Sequence, residues 1–430
     1  MARLDSLDDR DVVLVDGCRT PFQRAGTGFR DAMSYQLAAA ALDGLLTRRG
    51  FEPASAPVDG VILGATVPNP RTTNVAREAA FEVGLPYQVP AMTMTVAGAS
   101  ATCAVDTAAD WIRGGRAEVM VAGGTDCISD APIGYRRAMR QKLFAARRLR
   151  GMWPTLRFVL SLRPWDFLPD VPDITERATG QTMGQYAEGL AQKLGIGRAE
   201  QDAYALESHR RATAARDLLA EEIVPVLTAR GSVVADNGVR GDTDLATLAR
   251  LRPSFADDGT LTAGNASFLT DGAAVLLLAS ARRARDEGWP VLAVLRGSVL
   301  TAHDPRRDLL LGPVVAIPRV LAQAGLGLDE IDVVEIHEAF AAQVLAVLTL
   351  LADDDACREL GLDGSVGTID RDKLNAWGGS LAIGNPFAPN GARLLTTAAH
   401  RLHHEEGRHA LVATCAGGAL GQGMLLERVE

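Results

Sequence analysis

Short apolar runs alternate along this chain with longer stretches in which alanine and leucine recur every three to four residues. Runs of the first kind predict strands: "VVLVDG" (12–17), "GVILG" (60–64), "EVMVAGG" (118–124), "AAVLLLAS" (273–280), "VVEIHE" (333–338) and "ALVATCAGG" (410–418). The second kind predicts helices: "SYQLAAAALDGLLTRRG" (34–50), "AEQDAYALESHRRATAARDLL" (199–219) and "HEAFAAQVLAVLTLLADDD" (337–355). Alternation of the two is the pattern of an α/β fold. One stretch, "TVAGASATCAVDTAADWIRGG" (95–115), reads as a strand end, a small-residue turn and a helix closed by two glycines. A turn of that kind can present a nucleophile above the N–H groups of a helix start.

The pattern also repeats. "VDGVILGATVP", a helix beginning near Gly98 and "AEVMVAGGTD" follow the same plan as "IDVVEIHEAFA", the helix "GARLLTTAAHRLHHEEG" and "HALVATCAGG". Two copies of one strand–helix–strand plan predict a duplicated fold with facing halves. Between them, residues 131–249 differ in character. The segment from Arg136 to Arg163 carries nine basic residues and no acid before Asp166, with Leu, Phe, Trp and Val interleaved. The reading adopted is a solvated helical face whose apolar side packs on the body. A phosphate-bearing ligand, an anionic lipid surface or a partner subunit are the functional alternatives. The Pro-rich "RPWDFLPDVPDITE" (163–176) breaks helix and predicts an ordered loop.

Composition narrows the class. A length of 430 residues with 47% hydrophobic and 23% charged residues fits two or three packed units with a sizeable core. A net charge of −9 argues against wholesale nucleic-acid binding. Cys18, Cys103, Cys127, Cys357 and Cys415 form no CxxC pair, so neither a disulfide framework nor a structural zinc site is expected. No signal-peptide pattern and no apolar run long enough for a membrane span is seen, which predicts a reducing, cytoplasmic-type compartment. Neither a dinucleotide fingerprint, a P-loop nor a metal-ligand cluster stands in a suitable context. The paired glycines of "GGTD" and "GGS" are assigned to tight turns.

In the turn itself, Cys103 lies five residues past Gly98, about 7.5 Å of helix rise and ~140° of rotation away. That face is expected to be buried, and Ser100 is expected to cap the helix.

"GCRTPF", "GGTDCISDAPIG", "TMGQYAE", "TAGNASFLTDGAA", "HEAFAAQ", "NAWGGSLAIGNPFAPNGAR" and "CAGGALGQG" occur in that order, and together they resemble the thiolases from Gly17 almost to the C-terminus. The type with HEAF and a long basic loop, that of the β-subunit of fatty-acid oxidation trifunctional complexes, is the most similar. The resemblance implies a five-layered α-β-α-β-α core of two similar halves. Residues 1–130 with 250–285 form the N-terminal half, 286–430 the C-terminal half, and 131–249 a loop domain. It implies coenzyme A or carrier-protein thioesters as ligands with no tightly bound cofactor or metal, and a homodimer or homotetramer.

The resemblance also assigns residues. Cys415 matches the acid/base at the α-carbon, Gly417 an oxyanion-hole N–H, and His337 with Glu338 the motif that acts toward the thioester oxygen. Ser267, Met183 and Phe340 match ligand-lining positions. Two positions depart from the family pattern: Gly98 stands where the family has its nucleophilic cysteine, and Asn385 where "GHP" has its histidine base. The expected activity is therefore acyl-thioester chemistry without the usual acyl-enzyme, with Cys415 as acid/base. Two alternatives stand beside it: an inactive acyl-CoA-binding or structural subunit, and an ordinary 3-ketoacyl-CoA thiolase with a substitute nucleophile.

Overall fold

A computed structural model describes residues 2–170 and 175–430. Its main strands are β1 (Val12–Arg19), β2 (Gly60–Gly64), β3 (Ala91–Met94), β4 (Val119–Asp126), β5 (Thr270–Ser280), β6 (Ala293–Ala302), β7 (Val333–Ile336), β8 (His409–Ala416) and β9 (Leu420–Arg428). The longer helices are α1 (Ser34–Arg48), α2 (Val75–Val83), α3 (Ser100–Arg113), α4 (Arg137–Ala146), α5 (Met152–Ser161), α6 (Met183–Leu194), α7 (Arg198–Ala214), α8 (Gly312–Ala324), α9 (Ala341–Leu351) and α10 (Asn390–His404).

The strands run β7-β8-β9-β6-β1-β5-β4-β2-β3 in one sheet, with the short Gln23–Arg24 strand pairing on β5. The duplication predicted from sequence is visible in this order. The set β2-β4-β5-β1 mirrors β7-β8-β9-β6: each begins with a parallel pair and continues antiparallel. The halves join where β1 meets β6, through the pairs Val13↔Val294 and Leu14↔Ala293 and the adjoining bond from the Leu292 N–H to the Leu14 carbonyl. Continuous apolar runs arise because these strands are covered on both faces. On β1, Val13 and Val15 enter one core while Val12 and Leu14 enter the other. Beyond the N-terminal half of the sheet lies a layer with α1 and α2, between the halves lie α3 and α10, and α8 and α9 cover the far side. Five layers result.

Three local expectations change. The "HEAF" stretch is not helical: β7 ends at Ile336, Phe340 is extended at φ −144°, and α9 starts at Ala341. Gly123 and Gly124 do not make a turn but lie inside β4, where a β-carbon on Gly124 would press against the Ala388 backbone at 2.9 Å. The Arg136–Arg163 segment does not pack its apolar side on the body. In α4 only Met139 is buried and in α5 nothing is, so Phe144, Trp153 and Leu160 are 67, 75 and 77% exposed. Of the Pro-rich stretch, Pro164–Phe167 form a 3-10 turn and Pro169–Asp170 pair with Gly134–Tyr135, while residues 171–174 lie outside the described residues.

Candidate active site

A cavity of about 1060 Å³ opens where both halves present the C-terminal ends of their strands and the loops that follow. Gly98, Met183, Ser267, His337, Phe340, Asn385, Cys415 and Gly417 all line it. Gly98 reaches it from the loop before α3, Met183 from the first residue of α6 and Ser267 from the loop before β5, while α3 and α10 pack on each other at the centre of the fold.

The loop before α3 is closed on itself. Ala97 holds a left-handed φ of +46°, an uncommon conformation for a residue with a side chain. Its carbonyl accepts from Ser100 Oγ at 2.6 Å and from Thr66 Oγ1 at 2.9 Å, and Ser100 Oγ accepts from the Val96 N–H at 2.8 Å. Ser100 thus fastens the loop from inside the first turn of α3. It is not the cap expected from sequence, since the capping position is Ala99 and carries no side-chain bond. Gly98 offers the cavity no side chain. A β-carbon there would meet the Cys415 carbonyl oxygen at 3.0 Å. Among the described residues neither the Gly98 nor the Gly417 N–H has an acceptor.

Cys103 faces away from the cavity. Its thiol donates to Gln422 Oε1 at 3.0 Å, and burial pushes its pKa up to about 12. Cys415 sits near the end of β8 with its thiol likewise pushed up to about 12 by burial, so it carries its proton at neutral pH.

Asn385 has an unambiguous orientation. Its Oδ1 accepts from the Phe387 N–H at 3.0 Å and from Asn390 Nδ2 at 2.6 Å, and a backbone N–H can only donate. The NH₂ group therefore turns the other way and donates to Ser267 Oγ at 3.1 Å, with a second N–H to spare. Phe387 pays for this turn with a left-handed φ of +63°.

His337 is buried and its Nδ1 lies 3.0 Å from Ser380 Oγ. Burial, with a smaller contribution from the Arg393 charge, lowers its pKa to about 3, so the ring is neutral. Glu338, expected to bind substrate, does not face the cavity. Its carboxylate accepts from Tyr204 Oη at 2.9 Å, Asn375 Nδ2 at 2.8 Å, Ser208 Oγ at 2.8 Å and the Leu381 N–H at 3.1 Å. It is a structural bracket between α7 and the C-terminal half, because four donors leave it no free lone pair to offer. Phe340 and Phe255 meet edge to face at 5.8 Å on the cavity wall.

The residues sequence reasoning missed lie behind this lining. Asp126, at the end of β4, accepts from the Thr66, Val67 and Ala388 N–H groups at 2.8–2.9 Å and so joins loops from both halves. Burial raises its pKa to about 7 against those three donors. Asn390 and Ser380 both sit inside motifs visible in the sequence, but only contacts across the fold give them a task. Among the described residues no group of three or more His, Cys, Asp or Glu could hold a metal ion, and no helix is long and apolar enough to cross a membrane.

The family model "Thiolase, N-terminal domain" matches residues 12–282 and "Thiolase, C-terminal domain" matches residues 289–428. The chain belongs to the thiolase family. Among thiolase-family relatives, the mitochondrial trifunctional enzyme subunit beta of Bos taurus is 42% identical over 97% of this chain and 88% of its own length. A probable 3-ketoacyl-CoA thiolase of Caenorhabditis elegans is 40% identical over 97% of this chain and 94% of its own. Among solved structures, human mitochondrial 3-ketoacyl-CoA thiolase superposes with a TM-score of 0.82 at 30% identity, covering 98% of this chain and 100% of that one. The Bacillus anthracis acetyl-CoA acetyltransferase gives the same TM-score at 31% identity, with 97% and 98% covered.

Proposed function

We propose that this thiolase-family chain acts on acyl thioesters of the coenzyme A type and makes or breaks a bond next to the thioester carbonyl without an acyl-enzyme at residue 98. The observation that supports the reading is Gly98 itself: it brings an N–H and no thiol to a cavity that still holds Cys415, His337, Asn385 and Gly417. Two functions of the family site remain available. Backbone N–H groups at Gly98 and Gly417, with side-chain donors on His337 and Asn385, suit carbonyl oxygens on which negative charge develops. Protonated Cys415 suits delivery of a proton to an α-carbanion and its later removal. A base for a thiol is absent from residue 385, since an amide takes no proton near neutrality.

Claisen-type cleavage or condensation, retro-aldol cleavage and decarboxylation of an acyl thioester share the enolate that this equipment stabilises. Phe255, Phe340, Leu269 and Leu310 on the wall favour an apolar acyl chain. The chain is taken as two thiolase halves, 1–130 with 250–285 and 286–430, and a loop domain, 131–249, assembled as a homodimer or homotetramer.

The test is turnover of acetoacetyl-CoA and longer 3-ketoacyl-CoA esters with free CoA, followed by intact-protein mass spectrometry. Thiolysis near background and no acyl adduct are expected. Robust thiolysis with an acyl group on Cys103, Ser100 or Cys415 would overturn the reading. A second reading, a non-catalytic or structural subunit of a multienzyme complex, is favoured by one observation: the basic insertion leaves Phe144, Trp153 and Leu160 uncovered. Co-purification of a partner with no turnover of any acyl thioester would select it.

A further inference from the structure

Behind His337 stands a buried chain of polar groups that the family motifs leave without a role. Ser380 Oγ lies 3.0 Å from His337 Nδ1 and 3.2 Å from Arg393 Nη2. Ser380 and Arg393 are fully buried, and His337 is 4% exposed. A guanidinium has only donors, so at this contact the serine oxygen accepts. Among the described residues the Ser380 hydroxyl has no acceptor other than His337 Nδ1, so its hydrogen points at that nitrogen. A neutral imidazole that accepts at Nδ1 carries its proton on Nε2.

We propose that Ser380 is a positioning residue: with its hydroxyl direction fixed by Arg393, it holds His337 as the Nε2–H tautomer, which turns an N–H rather than a lone pair toward the cavity. The consequence for chemistry rests on the reading of His337 as a donor given above; the tautomer itself does not.

The surroundings are built to keep Ser380 in place. It opens the short helix Ser380–Ile383, directly after Gly378 at φ +81° and Gly379. The Gly379 N–H donates to Ser208 Oγ at 3.1 Å and the Leu381 N–H to Glu338 Oε2 at 3.1 Å. A β-carbon at Gly379 would overlap the Glu338 carboxylate. Glu338, the residue after His337, therefore holds Leu381 directly and Gly379 through Ser208, whose hydroxyl donates to it at 2.8 Å, which closes a loop around the Ser380–His337 contact. Arg393 faces Glu335 at 3.8 Å, burial lowers its pKa against the pull of that carboxylate, and among the described residues its Nε and Nη1 have no hydrogen-bond partner. Its charge is thus incompletely countered and disfavours a proton on Nδ1.

The experiment is a long-range ¹H–¹⁵N correlation spectrum of the full chain labelled at histidine side chains, with His337 assigned by its loss in His337→Gln. The wild type is expected to show the Nε2–H pattern, unchanged from about pH 8 down to about pH 5.5. Ser380→Ala should lose on the order of tenfold in preference for that tautomer, and Ser380→Thr should restore it. An Nδ1–H pattern in the wild type, or a spectrum unmoved by Ser380→Ala, would overturn the proposal. Should Ser380→Ala not fold, the wild-type pattern still decides. The free protein is sufficient, so failure of thioester turnover and failure of the tautomer assignment are separate results.

Discussion

A β-carbon placed on Gly98 would stand 3.0 Å from the carbonyl oxygen of Cys415, so residues from the two halves of the fold approach each other at a cavity position that lacks a side chain. Gly98→Cys therefore needs a small backbone shift and should destabilise the fold by about 1–3 kcal/mol. With Asn385 in place the new thiol has no base, and thiolysis of acetoacetyl-CoA should stay at background. Gly98→Cys with Asn385→His should gain it. Equal activity in the single and double variants would show that residue 385 has no part in ionising the thiol.

Alkylation of Cys415 by iodoacetamide should be slow at pH 8 and rise about tenfold per pH unit to beyond pH 10, because the buried thiol ionises only near 12. The sign follows from burial disfavouring the thiolate. Peptide mass mapping gives the rate at this residue. Labelling that plateaus below pH 9 would mean an activated thiol. On the proposed reading, Cys415→Ala abolishes turnover of the true substrate.

Glu338→Gln should cost about 2–4 kcal/mol in urea denaturation, since two of the four donors around the carboxylate would then face an NH₂ group. A residue that merely touched substrate would lose affinity and keep stability. An unchanged midpoint would return Glu338 to the cavity wall.

Trp153→Ser and Leu160→Ser remove apolar surface that touches no core, and should change the unfolding midpoint by no more than about 0.5 kcal/mol equivalent. Self-association or partner capture, followed by light scattering at several concentrations, should fall instead. A marked loss of stability would mean that α5 is packed against the body after all.

Strands covered on both faces were easy to read, as in β5, where every residue from Thr270 to Ser280 is buried. β6 and β9 escaped notice because Arg296, Gly297, Gly421 and Gly423 break their apolar runs, and only the pairing of the two strands shows why such residues fit. Gly421 is one case: a β-carbon there would collide with the backbone of Gly312 at the start of α8. Gly98, Met183, Ser267, His337, Phe340, Asn385, Cys415 and Gly417 could be pointed to as cavity positions because they lie within recognisable motifs, whereas Thr66, Val67 and Leu310 on the same wall do not. What holds the lining was not legible. Asp126, Asn390 and Ser380 act through partners 262, 5 and 43 residues away, and sequence spacing carries no signal for contacts of that kind. Glu338 was misplaced for the same reason, as adjacency to His337 says nothing about the opposite direction in which its side chain runs. The Arg136–Arg163 segment was misread because amphipathic patterning predicts an apolar face but not what covers it.

The seam between the halves of the sheet is two residue pairs and one adjoining hydrogen bond wide, while Gly98 belongs to one half and Cys415 to the other. The Gly98–Cys415 approach is therefore fixed less by the sheet than by α3 and α10, which pack on each other between the halves: a substitution that altered their packing would reach the cavity without touching a lining residue.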